Sequence, residues 1–393
     1  MFSQIKFFNL KMARMINNVK NAQKNKLNRK KRSYGNAPQH YDMIVFSHLR
    51  WQFVYHRPQH IISRMAKKLK VLFIEEPLPY DENKNSGNLI IVDEILHVLQ
   101  PNVRDIQSIA TIIPDYVNNN TVSFGWFYSA AFCPLLEHIN FENIIYDCID
   151  ELSLFKDASP QLVHQEKYLM AQANVVFTCG KSLYESKKRF HKNVHCFPNS
   201  VDEFHFSKAL NGIAIPDDIA VIKSPIVGYY GVIDERIDLQ LLQEVANRMP
   251  DISFVMIGPL AKIEEADLPK EPNIHYLGMK FYNELPNYLK AFDIAMMPFA
   301  LNDATKYSSP TKTLEYMAAA KPIISTKIKD VVRDYSICVS LIDTADDFCE
   351  AISFLLEKRD RLSMEMEYYK ILQETSWDAT AYKMELVIKA YAK

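Results

Sequence analysis

The chain has 393 residues, too many for one ordinary core and enough for two domains of about 150–180 residues. Apolar residues make up 48% and charged residues 24%, a globular balance, and no run nears the ~18–20 apolar residues that a membrane span needs. Net charge is −1, yet ten of the 46 Lys/Arg and none of the 47 Asp/Glu precede Asp42, so the remaining body is acidic and is not built to bind nucleic acid.

Residues 1–40 form a basic arm. Phe2, Ile5, Phe8, Met12, Met15 and Val19 fall at helical spacing with Lys and Arg between them, and residues 20–33 are almost wholly polar and basic. An apolar stripe beside a polybasic run suits an anionic membrane surface; the alternative is a solvated tail. No apolar h-region or small-residue cleavage site marks a signal peptide. The six cysteines show no CxxC or other metal spacing and read as small buried hydrophobes in a reducing compartment.

From Tyr41 a β-loop-α-β unit is predicted: strand Met43–Ser47, a polar aromatic loop, helix HIISRMAKKL and strand Val71–Pro77. The loop carries His48, Arg50, Trp51, Arg57 and His60 at the carboxyl end of a strand, where open α/β sheets bind ligands. Residues 80–120 give no clear pattern. Next come strand Thr121–Trp126, a helix over FYSAAFCPLLEHI, strand Asn143–Asp147 with the acidic loop DCIDE, a helix near 160–172, strand Val175–Gly180, helix SLYESKKRF and the short strand VHCFPNSVD. Residues 41–206 read as the N-terminal domain and 207–224, polar with Pro216, as a linker. The pattern then restarts over 225–375, with strands Ile226–Gly231, Ser253–Pro259, Ile274–Gly278 and Ile294–Phe299 and intervening helices, before a C-terminal helix over 376–393. The fold class is α/β, two Rossmann-like domains facing each other across a cleft, with a C-terminal helix that could cross back. Only nine glycines occur; Gly228, Gly231, Gly258 and Gly278 sit in or at the ends of strands, where backbone approaches a ligand or turns sharply. No GxGxxG follows the first strand of either domain, which disfavours a dinucleotide-dependent oxidoreductase.

Ser308–Thr326 carries the strongest local signal. Ser308, Ser309 and Thr311 are N-cap types, Pro310 suits a first helical turn, and Leu314, Met317 and Ala318 share one face before Pro322 and a buried strand. Such a loop aims backbone N–H groups at an anion, above all a phosphate; Lys312 adds a charge, and Glu315 one turn on could grip a sugar hydroxyl.

The stretches GVIDER, NIHYLGMKFYNELPNYLKAFDIAMMPF and SPTKTLEYMAAAKPIIST resemble, in order and spacing, the GT-B glycosyltransferases of group 1. SHLRWQFVYHRPQHIISRMAKKLKVLFIEEP and YDCIDELSLF are similar to the TuaH-like branch, which serves teichuronic acid and polysaccharide assembly. The resemblance runs from about Tyr41 to the C-terminus. It implies a donor loop at Gly231–Arg236, where Val232 replaces the family's early Arg and leaves Arg236 as the cation for the donor diphosphate. It implies that Glu315 binds the donor ribose and Lys312 a phosphate. The first Glu of the family's Glu-x₇-Glu motif falls on Tyr307, which bears on donor-sugar identity. Retention of anomeric configuration follows from the resemblance.

Charge building on the leaving diphosphate needs a metal or preorganised cations. No DxD-type pair lies beside the donor loop, so the expectation is no metal and no cofactor, with Arg236, Lys312 and the N–H groups near Ser309 and Thr311 acting on a UDP or GDP sugar. The acceptor, a glycan or lipid-linked sugar, must lose a proton; Asp150 and then Asp147 are the candidate bases, since clustered carboxylates raise one another's pKa. The place of action is expected to be the cytoplasm, at the inner face of the cell membrane. Alternatives are a nucleotide-sugar epimerase of similar fold and a non-catalytic nucleotide-binding scaffold.

Overall fold

The structure, a computed structural model, describes residues 38–156, 158–357 and 362–391. The basic arm through residue 37 lies outside the described residues. Two sheets organise the rest. The first has eight strands in the order β3-β4-β2-β1-β5-β6-β7-β8: β1 Met43–Ser47, β2 Val71–Glu75, β3 Gly87–Ile91, β4 Leu96–Pro101, β5 Thr121–Phe127, β6 Asn140–Cys148, β7 Val175–Thr178 and β8 Val194–Cys196. All neighbours are parallel except β3, which pairs antiparallel with β4. The second sheet is wholly parallel, β11-β10-β9-β12-β13-β14, from β9 Ile226–Tyr230, β10 Ser253–Ile257, β11 Ile274–Gly278, β12 Ile294–Met297, β13 Ile323–Thr326 and β14 Ser340–Ile342.

Parallel sheets are covered on both faces, so their central strands read as unbroken apolar runs. Strand β1 shows why. Ile44 and Phe46 belong to the core on one face of the first sheet, Met43 and Val45 to the core on the other. The strand order reverses beside β1 in the first sheet and beside β9 in the second, and crevices for ligands open at the carboxyl ends of strands at such points.

Helix α1, Arg57–Met65, follows β1 and starts earlier than its apolar periodicity predicts, because Pro58 suits a first turn and Gln59 caps back onto the His56 N–H. The last helix, Trp377–Tyr391, returns to the first sheet: Trp377, Ala381, Met384 and Ile388 join its core, and the Trp377 ring stacks on His60 of α1 at 4.7 Å. Three stretches differ from expectation. FYSAAFCPLLEHI forms a 3₁₀ run over Ala130–Glu137, because Pro134 inside it removes a donor. Residues 207–224 contain two short helical turns, and Phe206, Ala209 and Ile219 are buried in the C-terminal core. A further helix, Leu362–Gln373, buries only Tyr368 and Leu372.

Candidate active site

The site begins with two glycines. Gly231 follows β9 with φ +147° and Gly258 follows β10 with φ +151°. A Cβ on Gly258 would lie 1.7 Å from the Gly231 carbonyl oxygen, and the Gly231 N–H donates to the Ile257 carbonyl at 2.8 Å. Backbone presses on backbone here, and only glycine fits. A Cβ on Gly231 would in turn lie 2.7 Å from Cε of Lys312. The lysine stem is thus laid across the glycine turn.

Lys312 opens the helix Lys312–Ala318, and Thr311 precedes it with no side-chain cap. Among the described residues Lys312 Nζ has no hydrogen bond or ion pair. Burial lowers its pKa, Glu315 opposes that, and Arg236 adds to it. Glu315 lies one turn on and is 9% exposed. Its Oε2 accepts from the Tyr230 hydroxyl at 2.7 Å. Burial raises its pKa, and Lys312 and the Tyr230 hydrogen bond hold it down.

A solvent-open pocket runs past these groups. Gly231, Gly258, Lys312 and Glu315 line it from the C-terminal half, together with Met279, Lys280 and Tyr282, and Val54, Tyr55 and His56 line it from the N-terminal half. The Tyr282 hydroxyl is buried without a partner, and the Tyr55 and Tyr282 rings meet at 4.6 Å across the two halves.

The other expected donor residues stand as follows. Arg236 is paired inside its own loop: Nε lies 2.9 and 3.1 Å from the Asp234 carboxylate oxygens and Nη2 lies 2.7 Å from Oδ2. Its charge is thereby largely matched, leaving Nη1 without a protein partner among the described residues. Its guanidinium lies 5.7 Å from the Phe155 ring of the N-terminal half. The Ser309 carbonyl accepts from Asn199 Nδ2 at 2.8 Å, so this residue joins the two halves. Tyr307 packs against the core of the N-terminal half, with Lys306 Nζ 5.7 Å from its ring. Its side chain is therefore spent on contact between the halves rather than on the pocket wall.

The two candidate bases separate sharply. Asp147 is fully buried at the end of β6, where both oxygens take Arg57 Nε at 3.2 Å and Oδ1 lies 3.1 Å from Nη2. Arg57 also donates from Nη1 to the Phe197 carbonyl at 2.7 Å. Asp147 is an anchor, closed to an acceptor by its own ion pair. Asp150 instead follows β6 in a loop whose charge environment includes Arg236, Asp234 and Lys262 of the C-terminal half. Burial pushes its pKa up to about 6, against the pull of Arg236 and Lys262.

The loop after β1 divides in the same way. Arg50 pairs with buried Glu75 at 2.9 Å, Trp51 packs edge-on to Phe73, and His60 stacks on Trp377. These are structural. His48 is left, its Nδ1 buried without a partner, its pKa lowered to about 4 by burial and then by Lys262. Sequence reasoning missed His56, Tyr55, Tyr282 and Lys262. His56 alone had an available signal, its place directly before the predicted first helix at the carboxyl end of β1.

Two mostly parallel sheets with doubly wound order, facing across a cleft that holds these groups, define a GT-B glycosyltransferase fold. Residues 224–358 match the family described as glycosyl transferases group 1. Among curated proteins the chain is similar to TuaH of Bacillus subtilis (strain 168), a glycosyltransferase assigned to teichuronic acid biosynthesis, at 26% identity over 221 residues. That match covers 52% of this chain and 55% of the relative, so it spans about half the length of each. Similar solved structures include a sucrose-phosphate synthase from Thermosynechococcus elongatus, with TM-score 0.63 and 14% identity over 88% of this chain and 98% of that one. Another is Anabaena Alr3699/HepE in complex with UDP and glucose, with TM-score 0.62 and 11% identity over 89% of this chain and 100% of that one. A UDP-forming trehalose-phosphate synthase from Burkholderia xenovorans gives TM-score 0.64 and 10% identity over 90% and 99%. At these identities the structures establish the shared fold.

Proposed function

We propose that the chain is a glycosyltransferase that moves a sugar from a nucleotide-sugar donor to a glycan or lipid-linked acceptor in cell-surface polysaccharide synthesis. The observation that carries the reading is Lys312. A half-buried ammonium with no ion pair among the described residues is partly desolvated without compensation, and a phosphate in the adjoining pocket would supply the missing partner. The pocket places Glu315 one helical turn away, where a carboxylate with a free Oε1 accepts from ribose hydroxyls. Gly231 and Gly258 lack side chains that would block the diphosphate.

In this reading Lys312, and Arg236 through its remaining Nη1, meet the charge that grows on the leaving diphosphate. Asp150 takes the acceptor's proton. A carboxylate with pKa about 6 is mostly ionised at neutral pH and still basic enough to act. Ser309 and Thr311 bound the donor loop. The short helix behind them has only seven residues, so the lysine, and not the helix terminus, is assigned the main charge.

Among the described residues no helix is long and apolar enough to cross a membrane. We assign membrane recruitment to the basic arm, residues 1–33, on its composition alone. Sedimentation with phosphatidylserine vesicles tests this: the full chain should co-sediment and a chain lacking residues 1–35 should not, while equal recovery would remove the arm from the reading.

The donor site is tested by thermal shift against UDP, GDP, ADP and CMP sugars. A ligand at about 100 times its Kd stabilises the folded state by about 2.7 kcal/mol. At least one nucleotide class should raise Tm in the wild type and not in Lys312→Ala. No shift with any class would sink the assignment.

A further inference from the structure

The donor pocket is lined from the N-terminal half by Val54, Tyr55 and His56. His56 is fixed there by the fold. Its backbone N–H donates to Gln59 Oε1 at 3.0 Å. Gln59 is fully buried and its Nε2 donates to the carbonyls of Arg50, Trp51 and Val54 at 3.1–3.2 Å. The next residue, Arg57, is locked to Asp147 and to the Phe197 carbonyl. His56 therefore lines the same pocket as Gly231 and Lys312 from a fixed backbone.

Its surroundings are cationic. Lys312 acts on it from the Lys312–Ala318 helix, Arg236 from the loop after β9, His60 from α1 and His48 from the loop after β1. Burial and these four groups hold the ring neutral, well below the usual histidine range. The N-terminal half thus presents a neutral nitrogen base to a space that the C-terminal half has made positive. An entering diphosphate reverses that field, because an opposite charge within about 4–6 Å favours the charged form of a titratable group by about 1–3 pKa units.

Resting on the donor-site reading above, we infer that His56 is the contact of the N-terminal half to the donor diphosphate, and that it takes up one proton when a nucleoside diphosphate binds. The proton comes from solvent to the free ring nitrogen, and the resulting imidazolium donates to a phosphate oxygen. Nothing leaves and no bond breaks. The cation that the N-terminal half brings to the diphosphate thus exists only while the ligand is present, so ligand binding and attraction between the two halves are one event. Binding is linked to proton uptake, so affinity falls as pH rises through the bound-state pKa of the ring.

Titration calorimetry of the full chain with UDP and with GDP, near pH 7 in buffers of low and high ionisation enthalpy, reads the proton count directly. Wild type should take up more protons than His56→Gln, by a margin that grows as the pH is lowered toward the bound-state pKa of the ring, and the variant should bind about tenfold more weakly because a charge-assisted bond becomes a neutral one. Subtracting the variant removes the nucleotide's own titration. His56→Asn, a good N-cap, is the second variant, and melting without nucleotide confirms that each is folded. Equal uptake and equal affinity in both variants, with Lys312→Met weakened, would overturn the inference and leave the donor site standing. Uptake that survives both histidine variants and vanishes in Lys312→Met puts the proton on the lysine and also overturns it. Absence of binding heat with either nucleotide overturns the donor-site reading and this inference with it.

Discussion

The carboxyl edges of the two sheets are built from the same kinds of residue and used in opposite ways. At the first sheet, Arg50 meets Glu75 and Arg57 meets Asp147, both pairs buried. At the second, Lys312 has no ion-pair partner and Glu315 has one hydrogen bond, from a tyrosine hydroxyl, among the described residues. Charges matched within the protein hold loops in place. A charge left unmatched in a pocket is a charge waiting for a ligand. Position in the fold is thus insufficient to mark a functional residue; its partner decides.

The largest expected effect breaks the first edge. Removing one member of a buried pair leaves the other uncompensated, so Asp147→Ala should lower unfolding stability by about 3–5 kcal/mol in urea titration. Lys312→Ala should behave differently. It removes a half-buried charge with no ion pair among the described residues, so stability should change by less than about 1 kcal/mol, the relief of desolvation being offset by Glu315's loss of a nearby cation, while kcat/KM should fall about 10²–10³-fold, the scale of losing one preorganised charge-stabilising group. If Lys312→Ala instead unfolds the protein and Asp147→Ala spares it, the contrast between the two edges is wrong.

That contrast also explains what was legible in the sequence. Buried parallel strands such as MIVFS, SFVMI and IAMM are recognisable as unbroken apolar runs. The edge strand Gly87–Ile91 is only half-buried, and its apolar run Leu89–Val92 is hemmed in by Asn, Asp and Glu, so the antiparallel end of the first sheet gave no clear pattern. Helix Leu362–Gln373 exposes Leu362, Met366 and Tyr369, and its periodicity points to no single face. That Lys312 and Glu315 share one short helix before a buried strand was legible, because charge and apolar face lie within a few residues of one another. The pairing of Asp147 was not, because Arg57 lies 90 residues away. Nor was the pairing of Arg236, even with Asp234 two residues off, because nothing in the one-dimensional pattern says whether the loop folds back on itself.

Asp150 sharpens the comparison, being a first-edge carboxylate whose charge environment includes second-edge groups. As the base it must be ionised, so kcat/KM should rise with pH through about 6 and level off above. Asp150→Asn should abolish that limb and cost about 10²–10⁴ in kcat. The sign for stability is opposite. A carboxyl whose folded pKa lies above its unfolded value costs stability as pH rises from about 4 to about 6. The Asn variant should therefore be about 1–3 kcal/mol more stable than wild type at neutral pH, and less so near pH 4. A variant that is inactive and also destabilised at neutral pH would make Asp150 structural.

The smallest effect comes from a second ion pair on α1. Arg64 meets Asp378 of the C-terminal helix at 3.0 Å, much as Arg57 meets Asp147. Distance alone would rank the two alike. Asp378, however, is 69% exposed, and water and salt screen its attraction to Arg64. Asp378→Ala should cost about 0.2–1 kcal/mol, and the loss should shrink as salt is raised. The loss in Asp147→Ala should be insensitive to salt, because no ions reach the buried pair. What holds the C-terminal helix on the N-terminal half is then Trp377, Met384 and Ile388 in the core, with its ion pairs as trim.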